Sequence, residues 1–224
     1  MTIMETIRQR HSVRKYTSQP IEGETLAALE ALVAQVREES GLNIQLVCDN
    51  PEVFDIVASI GVISGCRASI VFAKSDPAQD EPIGYWGQKI VLGAQELGLN
   101  TCWAALCARK KSKAQISEGE RIRLVIAVGY GVYPGKERPT KALEELCTVE
   151  GGGEMPAWFE LAMEAAQLAP TGMNAQNFHI TLREDGRTVC ACARKGGLRQ
   201  IDLGIVKRNF ELAANEAGAD WRWE

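Results

Sequence analysis

The chain has 224 residues, enough to bury a sizeable core as one large domain or two small ones. Hydrophobic residues make up 46% and charged residues 24%, with a formal net charge of −4, so the composition predicts a globular protein without a general nucleic-acid or membrane surface. The sequence has no apolar run of membrane-spanning length and no secretory signal, so we expect a cytoplasmic protein.

The seven cysteines and two histidines predict no metal site. No C-x-x-C pair exists, and the nearest approach to one is the C-x-C of Cys190 and Cys192. Several cysteines lie in apolar runs, where a free thiol usually packs as a small buried hydrophobic group. Reduced thiols fit a cytosolic protein.

Hydrophobic periodicity predicts alternating helices and strands before residue 130. Apolar residues at helical spacing predict a helix over 26–36 and a second over 83–97, which Gly98 ends. Short apolar or alternating runs predict strands at 44–48, 69–73 and 122–128.

The pattern restarts after a glycine-rich linker candidate at 150–154. Beyond it we predict, in order, a helix over 158–168 that ends before Pro170, a strand over 178–182, a turn at Asp185-Gly186, a strand over 188–193 and a helix over 206–217.

The two halves of the chain resemble each other. When 84–103 is laid over 204–223, the matching pairs include Gly84 with Gly204, Gly98 with Gly218, and Trp103 with Trp223. A divergent internal duplication explains these pairs better than helix composition does. We therefore predict a first half at 1–149, a linker at 150–154 and a shorter second half at 155–224.

Two motifs stand at opposite ends of the chain: Arg-His-Ser-Val-Arg-Lys-Tyr at 10–16, and Ala-Pro-Thr-Gly-Met-Asn-Ala-Gln-Asn-Phe at 169–178. Both resemble segments of the FMN-dependent nitroreductase family. Segments similar to that family also occur, in the family's order, at 65–73, 97–103, 125–131 and 136–146. The resemblance implies an α+β fold with mixed or antiparallel sheets packed against helices, and two half-repeats that form a pseudo-dimer.

In that family each subunit carries both motifs, and each FMN lies at a dimer interface. Here the first half keeps the basic motif and the second half keeps the Pro-Thr-Gly motif. The resemblance thus implies one FMN per chain, and it leaves open whether the protein is a monomeric pseudo-dimer or a homodimer.

Basic residues at alternate positions are candidates for holding the flavin phosphate. The sequence has neither of the common glycine-rich phosphate loops, and arginine forks are the alternative because they bind phosphate oxygens in pairs. In an extended segment, Arg10, Ser12 and Arg14 would share one side. The resemblance implies phosphate binding by Arg10, Ser12, Lys136 and Arg138.

Two residues of the basic motif are expected nearer the ring. His11 lies within the motif, at a position that would approach the ring or the phosphate. The family places a basic side chain at the position of Arg14, and a cation there would stabilise the anionic reduced flavin.

The second motif offers amides and a hydroxyl to the ribityl chain and ring. The candidates are Thr171, Gly172, Asn174 and Gln176, with Gly172 allowing close backbone approach. Family members usually continue with Pro-Trp, whereas this chain reads Asn177-Phe178, so the packing on the ring differs.

A third candidate segment is 100–104, which corresponds to a loop that faces flavin N5 and O4 in the family. Its residues Thr101, Cys102 and Trp103 are expected cofactor contacts. Cys102 has no adjacent base or cation in sequence to activate it, so it is not assigned a catalytic role. The resemblance implies that the flavin does the chemistry, so no residue of the protein is assigned as catalytic.

These features predict an FMN-dependent oxidoreductase that takes electrons from NADH or NADPH and passes them to a small acceptor such as a nitroaromatic or quinone. Three alternatives stay open: a flavin-binding redox sensor without efficient turnover, a specialised flavin chemistry that depends on lid residues, and an α/β interaction protein. The sequence identifies neither the acceptor nor the preferred nicotinamide.

Overall fold

A computed structural model describes residues 1–59, 63–76, 80–105, 107, 109–194 and 196–224. The fold is α+β, as predicted. Its helices are α1 (Ile3–Gln9), α2 (Gly23–Ser40), α3 (Glu81–Glu96), α4 (Leu143–Leu146), α5 (Ala157–Gln167) and α6 (Arg199–Glu216). Its strands are β1 (Asn43–Val47), β2 (Ala68–Lys74), β3 (Asn100–Ala104), β4 (Arg121–Gly129), β5 (Cys147–Val149), β6 (Phe178–Leu182), β7 (Thr188–Ala193) and β8 (Arg222–Trp223).

The chain forms two compact units that are interleaved in sequence. The β1–β4 unit contains residues 10–79 and 89–137, and the β5–β8 unit contains residues 1–9, 80–88 and 138–224. Helix α3 contributes its first half to the β5–β8 unit and its second half to the β1–β4 unit.

The β1–β4 unit is built on an antiparallel sheet in the order β1-β2-β4-β3. The central strand β4 is almost wholly apolar, and Val125, Ala127 and Val128 have no exposed surface. Such a strand has no polar face to turn to solvent, so it is stable only when both faces are covered. This confirms the buried strand predicted at 122–128.

The β5–β8 unit has a mixed sheet in the order β5-β6-β7-β8, in which β6 and β7 form an antiparallel hairpin and the outer pairs are parallel. Helices α5 and α6 pack together in this unit through fully buried side chains such as Phe159 and Phe210, whose ring centroids lie 5.6 Å apart. The aromatic contact anchors the helices that precede and follow the hairpin.

Most predicted elements are confirmed within a few residues. Helix α2 is followed by Gly41, which has the left-handed backbone of a helix stop, and α3 and α6 are followed by Gly98 and Gly218 in the same conformation. The sequence reasoning did not identify α1, α4, β5 or β8, whose short lengths give little periodicity.

The predicted linker at 150–154 begins with a short 3-10 helix, Glu150–Gly152, inside the β5–β8 unit. Glu150 also forms an ion pair with Arg183 at 2.7 Å. The boundaries of the compact units therefore differ from the predicted halves 1–149 and 155–224. Those halves refer to a duplicated sequence, and that division stays a prediction.

Among the described residues, no helix is both long and apolar enough to cross a bilayer. All seven cysteines are free thiols, and four of them (Cys66, Cys102, Cys107 and Cys147) are buried. Burial raises the pKa of Cys66 to about 12, as expected for a thiol that packs as an apolar group.

Candidate flavin site

In the β1–β4 unit, the basic motif at 10–16 is an extended segment held by backbone hydrogen bonds. The amide of Val13 donates to the carbonyl oxygen of Thr101 at 3.0 Å, and the amide of Tyr16 donates to that of Ser64 at 2.8 Å. The carbonyl oxygen of Lys15 accepts the amide of Val132 at 2.9 Å. The segment therefore has the extended conformation that the alternation of Arg10, Ser12 and Arg14 requires if the three are to share one side.

Glycines after β4 allow the chain to lie directly against the basic motif. A Cβ added at Gly131 would lie 2.5 Å from Oδ1 of Asn100. Gly135 has a positive φ of +95°, and a Cβ added there would lie 2.5 Å from Cβ of His11. No side chain fits at such distances, so the close approach requires glycine. The segment that carries Lys136 thus lies beside the segment that carries His11.

The environment of the basic motif is electropositive. Arg10 is only 7% exposed, whereas Ser12 and Arg14 are partly exposed and Lys136 is exposed. The pKa of His11 is lowered by burial and by the positive charge of Arg10, and Glu137 opposes this shift. Such an environment favours an anionic ligand.

The segment at 100–104 is a strand, so the prediction of a loop was wrong. Strand β3 pairs with β4 in antiparallel register from Asn100 opposite Gly129 to Ala104 opposite Val125. Its Thr101 also pairs with Ser12 of the basic motif. Segment 100–104 forms a strand because the apolar strand β4 offers it an edge to pair with. The spacing of residues in the sequence does not show that edge.

Trp103 on β3 carries a buried hydrogen-bond donor that no described residue satisfies. Its indole Nε1 is inaccessible to solvent and has no acceptor. An unpaired buried donor costs about 1–3 kcal/mol, so its persistence suggests a ligand that supplies the acceptor. Cys102, its neighbour, is 3% exposed and packs in the core.

In the β5–β8 unit, the second motif forms a strained loop at 171–176. A 3-10 turn covers Gly172–Asn174, and Met173, Asn174 and Gln176 all have left-handed backbones, with φ of 55°, 55° and 46°. Such conformations are rare in residues other than glycine, and they concentrate at functional sites. Met173 is also 90% exposed, so burial of its side chain does not offset this strain.

Hydrogen bonds fasten this loop to the segment at 139–141, which follows Arg138. The side chain of Gln176 is buried, with its Oε1 accepting the amide of Lys141 at 3.1 Å and its Nε2 donating to the carbonyl oxygen of Pro139 at 3.3 Å. Nδ2 of Asn174 donates to the same carbonyl oxygen at 2.9 Å. The side-chain amide of Gln176 thus bonds to the protein itself, which indicates that Gln176 shapes the loop.

Asp202 fastens the other end of the loop. Both of its carboxylate oxygens accept the amide N–H of Gly172, at 3.0 and 3.1 Å. Burial raises the pKa of Asp202 to about 6, and the Gly172 hydrogen bond acts in the opposite direction.

The structure gathers the predicted site residues into two sets, one in each unit. The β1–β4 unit holds Arg10, His11, Ser12, Arg14, Thr101, Cys102, Trp103 and Lys136. The β5–β8 unit holds Arg138, Thr171, Gly172, Asn174 and Gln176. Sequence reasoning missed the roles of Lys141 and Asp202, because each reaches the loop only through tertiary packing.

These residues fit the chemical parts of FMN. A buried guanidinium beside a hydroxyl suits the phosphate, and the unsatisfied indole N–H of Trp103 suits a ring carbonyl or ring nitrogen. A metal site is not formed by the described residues, which contain no cluster of three or more potential ligands from His, Cys, Asp and Glu.

Solved structures with the same fold are nitroreductases. A structure from Thermotoga maritima described as a "putative nitroreductase" matches with a TM-score of 0.65 and 20% identity, over 97% of this chain and 85% of that one. A "putative nitroreductase in complex with fmn" from Desulfovibrio desulfuricans matches with a TM-score of 0.51 and 17% identity, over 69% of this chain and 98% of that one. At these identities the likeness shows the fold, which is that of a nitroreductase.

The family follows from the sequence match. The family model described as "Putative TM nitroreductase" matches residues 2–214, nearly the whole chain, so the chain belongs to this nitroreductase family. A search of curated proteins found no match.

Proposed function

We propose that this protein is an FMN-dependent oxidoreductase that takes electrons from NADH or NADPH and passes them to a nitroaromatic, a quinone or a similar small acceptor. The observation that carries the proposal is the unsatisfied indole N–H of Trp103, on a strand that pairs with the basic motif. The FMN in the Desulfovibrio desulfuricans structure supports the choice of cofactor.

Arg10 and Ser12 are the proposed core of the phosphate site, with Lys136 and Arg138 adding positive charge. Arg10 offers a planar fork of N–H donors that never loses its charge at physiological pH. Its burial makes a hydrogen bond to phosphate stronger than it would be in water. Burial and the positive charge of Arg10 lower the pKa of His11 and so favour its neutral form, and we assign it a hydrogen bond to the cofactor.

Thr101, Cys102, Thr171, Gly172 and Asn174 are the other proposed cofactor contacts. They provide backbone groups, two hydroxyls and an amide, which suit a polyol chain and a polar ring edge. The loop at 171–176 is already fastened at both ends before any ligand binds, so little entropy would be lost when FMN is bound.

Arg14 is the proposed electrostatic partner of the reduced cofactor. Bound FMN would supply the redox chemistry, by accepting a hydride from the nicotinamide and passing electrons to the acceptor. A fixed positive charge at Arg14 would stabilise the negative charge of the reduced state. No acid or base of the protein is needed for this reaction, in keeping with the absence of an assigned catalytic residue.

We further propose that the chain arose by duplication of one nitroreductase subunit and binds a single FMN. The order helix–strand–strand–helix–strand occurs twice, as α2-β1-β2-α3-β3 and as α5-β6-β7-α6-β8. After α3 the amide of Leu99 donates to the carbonyl oxygen of Ala94, and after α6 the amide of Ala219 donates to that of Ala214. The two donors are 120 residues apart in the sequence, and so are the two acceptors. Gly84 and Gly204 are separated by the same 120 residues.

We also propose that the protein is cytoplasmic, and that it is either a monomeric pseudo-dimer or a homodimer. Seven free thiols support a reducing compartment.

A second candidate is a flavin-binding redox sensor that has lost efficient turnover. The observation that favours it is Phe178, which replaces the family's Trp and is only 1% exposed at the start of β6. An aromatic side chain buried in the core leaves nothing from that position to stack on the flavin ring.

The visible spectrum of the purified protein, followed by anaerobic titration with NADH and NADPH, tests both candidates. Yellow protein with close to one FMN per chain that bleaches with either nicotinamide and recovers with menadione or nitrofurazone would support the oxidoreductase. Bound FMN that stays oxidised would favour the sensor. Colourless protein that takes up no added FMN would overturn both proposals.

A matched pair of variants locates the cofactor. Arg10→Ala should weaken FMN binding by about tenfold or more, because a charge-assisted hydrogen bond to phosphate is lost. Arg109→Ala is the control, since this exposed arginine lies in another part of the β1–β4 unit and donates to the carbonyl oxygen of Ala105. Equal FMN affinity in the two variants would contradict the assignment of Arg10.

A further inference from the structure

The carboxylate of Asp202 accepts hydrogen bonds from a single backbone amide, which lies outside its own helix. Asp202 lies in the first turn of α6, where the helix dipole favours a negative charge. Its two oxygens accept the N–H of Gly172, and no other described residue donates to them. The residue therefore serves the loop at 171–176 and does not cap α6.

That loop is under strain and needs to be held. Met173, Asn174 and Gln176 have left-handed backbones, which residues other than glycine rarely adopt. Asn174 and Gln176 are held by the carbonyl oxygen of Pro139, but Gly172 has its side-chain anchor in Asp202. Without Asp202, the first turn of the loop would be free to relax to an ordinary conformation.

Stability does not explain the choice of an aspartate at this position. Burial disfavours the charged carboxylate, whose pKa it raises to about 6, so the folded protein pays a free-energy cost to keep Asp202 ionised at pH 7. An asparagine would accept the same N–H without that cost. What the side chain of Asp202 supplies is therefore an acceptor that fixes the N–H of Gly172.

We propose that Asp202 is a positioning residue of the flavin site, which holds Gly172 so that the loop at 171–176 keeps the backbone shape that receives FMN. This inference rests on the proposed function, because Thr171, Gly172 and Asn174 are proposed FMN contacts. Asp202 itself acts through Gly172 and is assigned no contact with the cofactor.

The test compares Asp202→Ala, Asp202→Asn and a control, Asp220→Ala. Asp220 is an exposed acid of the same unit, paired with Arg187 at 3.1 Å. Three quantities are measured for each variant: the Kd for FMN from quenching of flavin fluorescence, the free energy of unfolding in urea, and the rate of amide hydrogen exchange in a peptide that covers 169–177.

Asp202→Ala should bind FMN about tenfold more weakly and exchange faster at 169–177, although its free energy of unfolding should not fall. Asp202→Asn keeps an acceptor for the Gly172 N–H, so its exchange rate and its FMN affinity should return to within about threefold of the wild type. The control should match the wild type in FMN affinity and in exchange at 169–177.

Two results would overturn the inference: wild-type FMN affinity in Asp202→Ala, or a loss of affinity that follows a loss of folding stability. If the wild-type protein binds no FMN, the proposed function fails, and the inference fails with it as a statement about flavin. The exchange measurement then reports separately whether Asp202 holds Gly172.

Discussion

Gly84 and Gly204 meet where the first turns of α3 cross α6 within the β5–β8 unit. A Cβ on Gly84 would overlap the carbonyl oxygen of Ile201, and a Cβ on Gly204 would overlap that of Glu81. The contact is reciprocal, since Ile201 stands three residues before Gly204 and Glu81 three residues before Gly84. Glycine at both positions lets the two backbones approach more closely than any side chain would allow.

Gly84→Ala and Gly204→Ala should each destabilise the protein. Alanine in a helix is normally better than glycine by about 1 kcal/mol, but here its methyl group meets backbone that cannot move aside. We expect each substitution to lower the free energy of unfolding by about 1–3 kcal/mol, measured in urea.

Gly93→Ala is the matched control for these helix glycines. Its added Cβ would approach Cδ2 of Leu32 to 2.5 Å, and that methyl group lies at the end of a side chain that can rotate away. We expect a smaller loss than at Gly84 or Gly204. The double variant Gly84→Ala/Gly204→Ala should lose less than the sum of the single losses, because the first methyl group already separates the helices. Unchanged stability in both single variants would refute the close crossing.

Trp103→Phe should weaken FMN binding without unfolding the protein. The substitution removes the unsatisfied indole N–H, whose hydrogen bond to the cofactor we expect to contribute about 1 kcal/mol, or about fivefold in Kd. Trp221→Phe is the control, because the indole of Trp221 already donates to Oδ1 of Asn215 at 3.0 Å. If Trp103→Phe binds FMN as tightly as the control, the indole N–H does not face the cofactor.

Arg14→Gln should lower the midpoint potential of bound FMN while FMN remains bound. Removal of a positive charge near the reduced ring weakens its stabilisation, and a tenfold weaker preference for the reduced state corresponds to about 30 mV for a two-electron couple. Lys15→Gln changes the charge equally at the neighbouring exposed residue. Dye-linked equilibrium titration should show a larger decrease for Arg14→Gln, and equal decreases would argue against a specific role for Arg14.

Asp202→Asn should change how stability depends on pH. The folded-state pKa of Asp202, about 6, lies above its unfolded value, so the folded protein binds more protons between about pH 4 and pH 6. The contribution of Asp202 to stability is therefore fully present below about pH 4 and is lost as pH rises through 6. We expect Asp202→Asn to be more stable than the wild type by about 2 kcal/mol at pH 7.5 and to lose that advantage at pH 4. A difference that is independent of pH would contradict the raised pKa.

The regular elements were accessible from the sequence where periodicity is long or composition is extreme. Helix α2 has apolar residues at helical spacing over several turns, and β4 is nearly all apolar. Strand β3 was mistaken for a loop, because its five residues gain their pairing from β4 and from Ser12, which lie far away in sequence. Short strands depend on partners that a local pattern does not contain.

The residues of the candidate site also divide into those that the sequence could reveal and those that it could not. The basic motif and the Pro-Thr-Gly motif could be found because their residues are contiguous, whereas the extended shape of 10–16 depends on hydrogen bonds to Thr101 and Ser64. Asp202 and Lys141 could not be found, since each acts on the loop across about 30 residues of intervening chain. The hydrogen bonds between Gln176 and the 139–141 segment likewise could not be predicted from the spacing of residues in the sequence.

The interleaved course of the chain has a consequence for its synthesis. Every residue of the β1–β4 unit has been translated once residue 137 is reached, whereas the β5–β8 unit combines residues 1–9 with a segment that extends to 224. Because domains fold as their sequence emerges from the ribosome, the β1–β4 unit can fold first. Helix α1, which packs against α5 and α6 in the β5–β8 unit, can complete its packing only after those later helices have been synthesised.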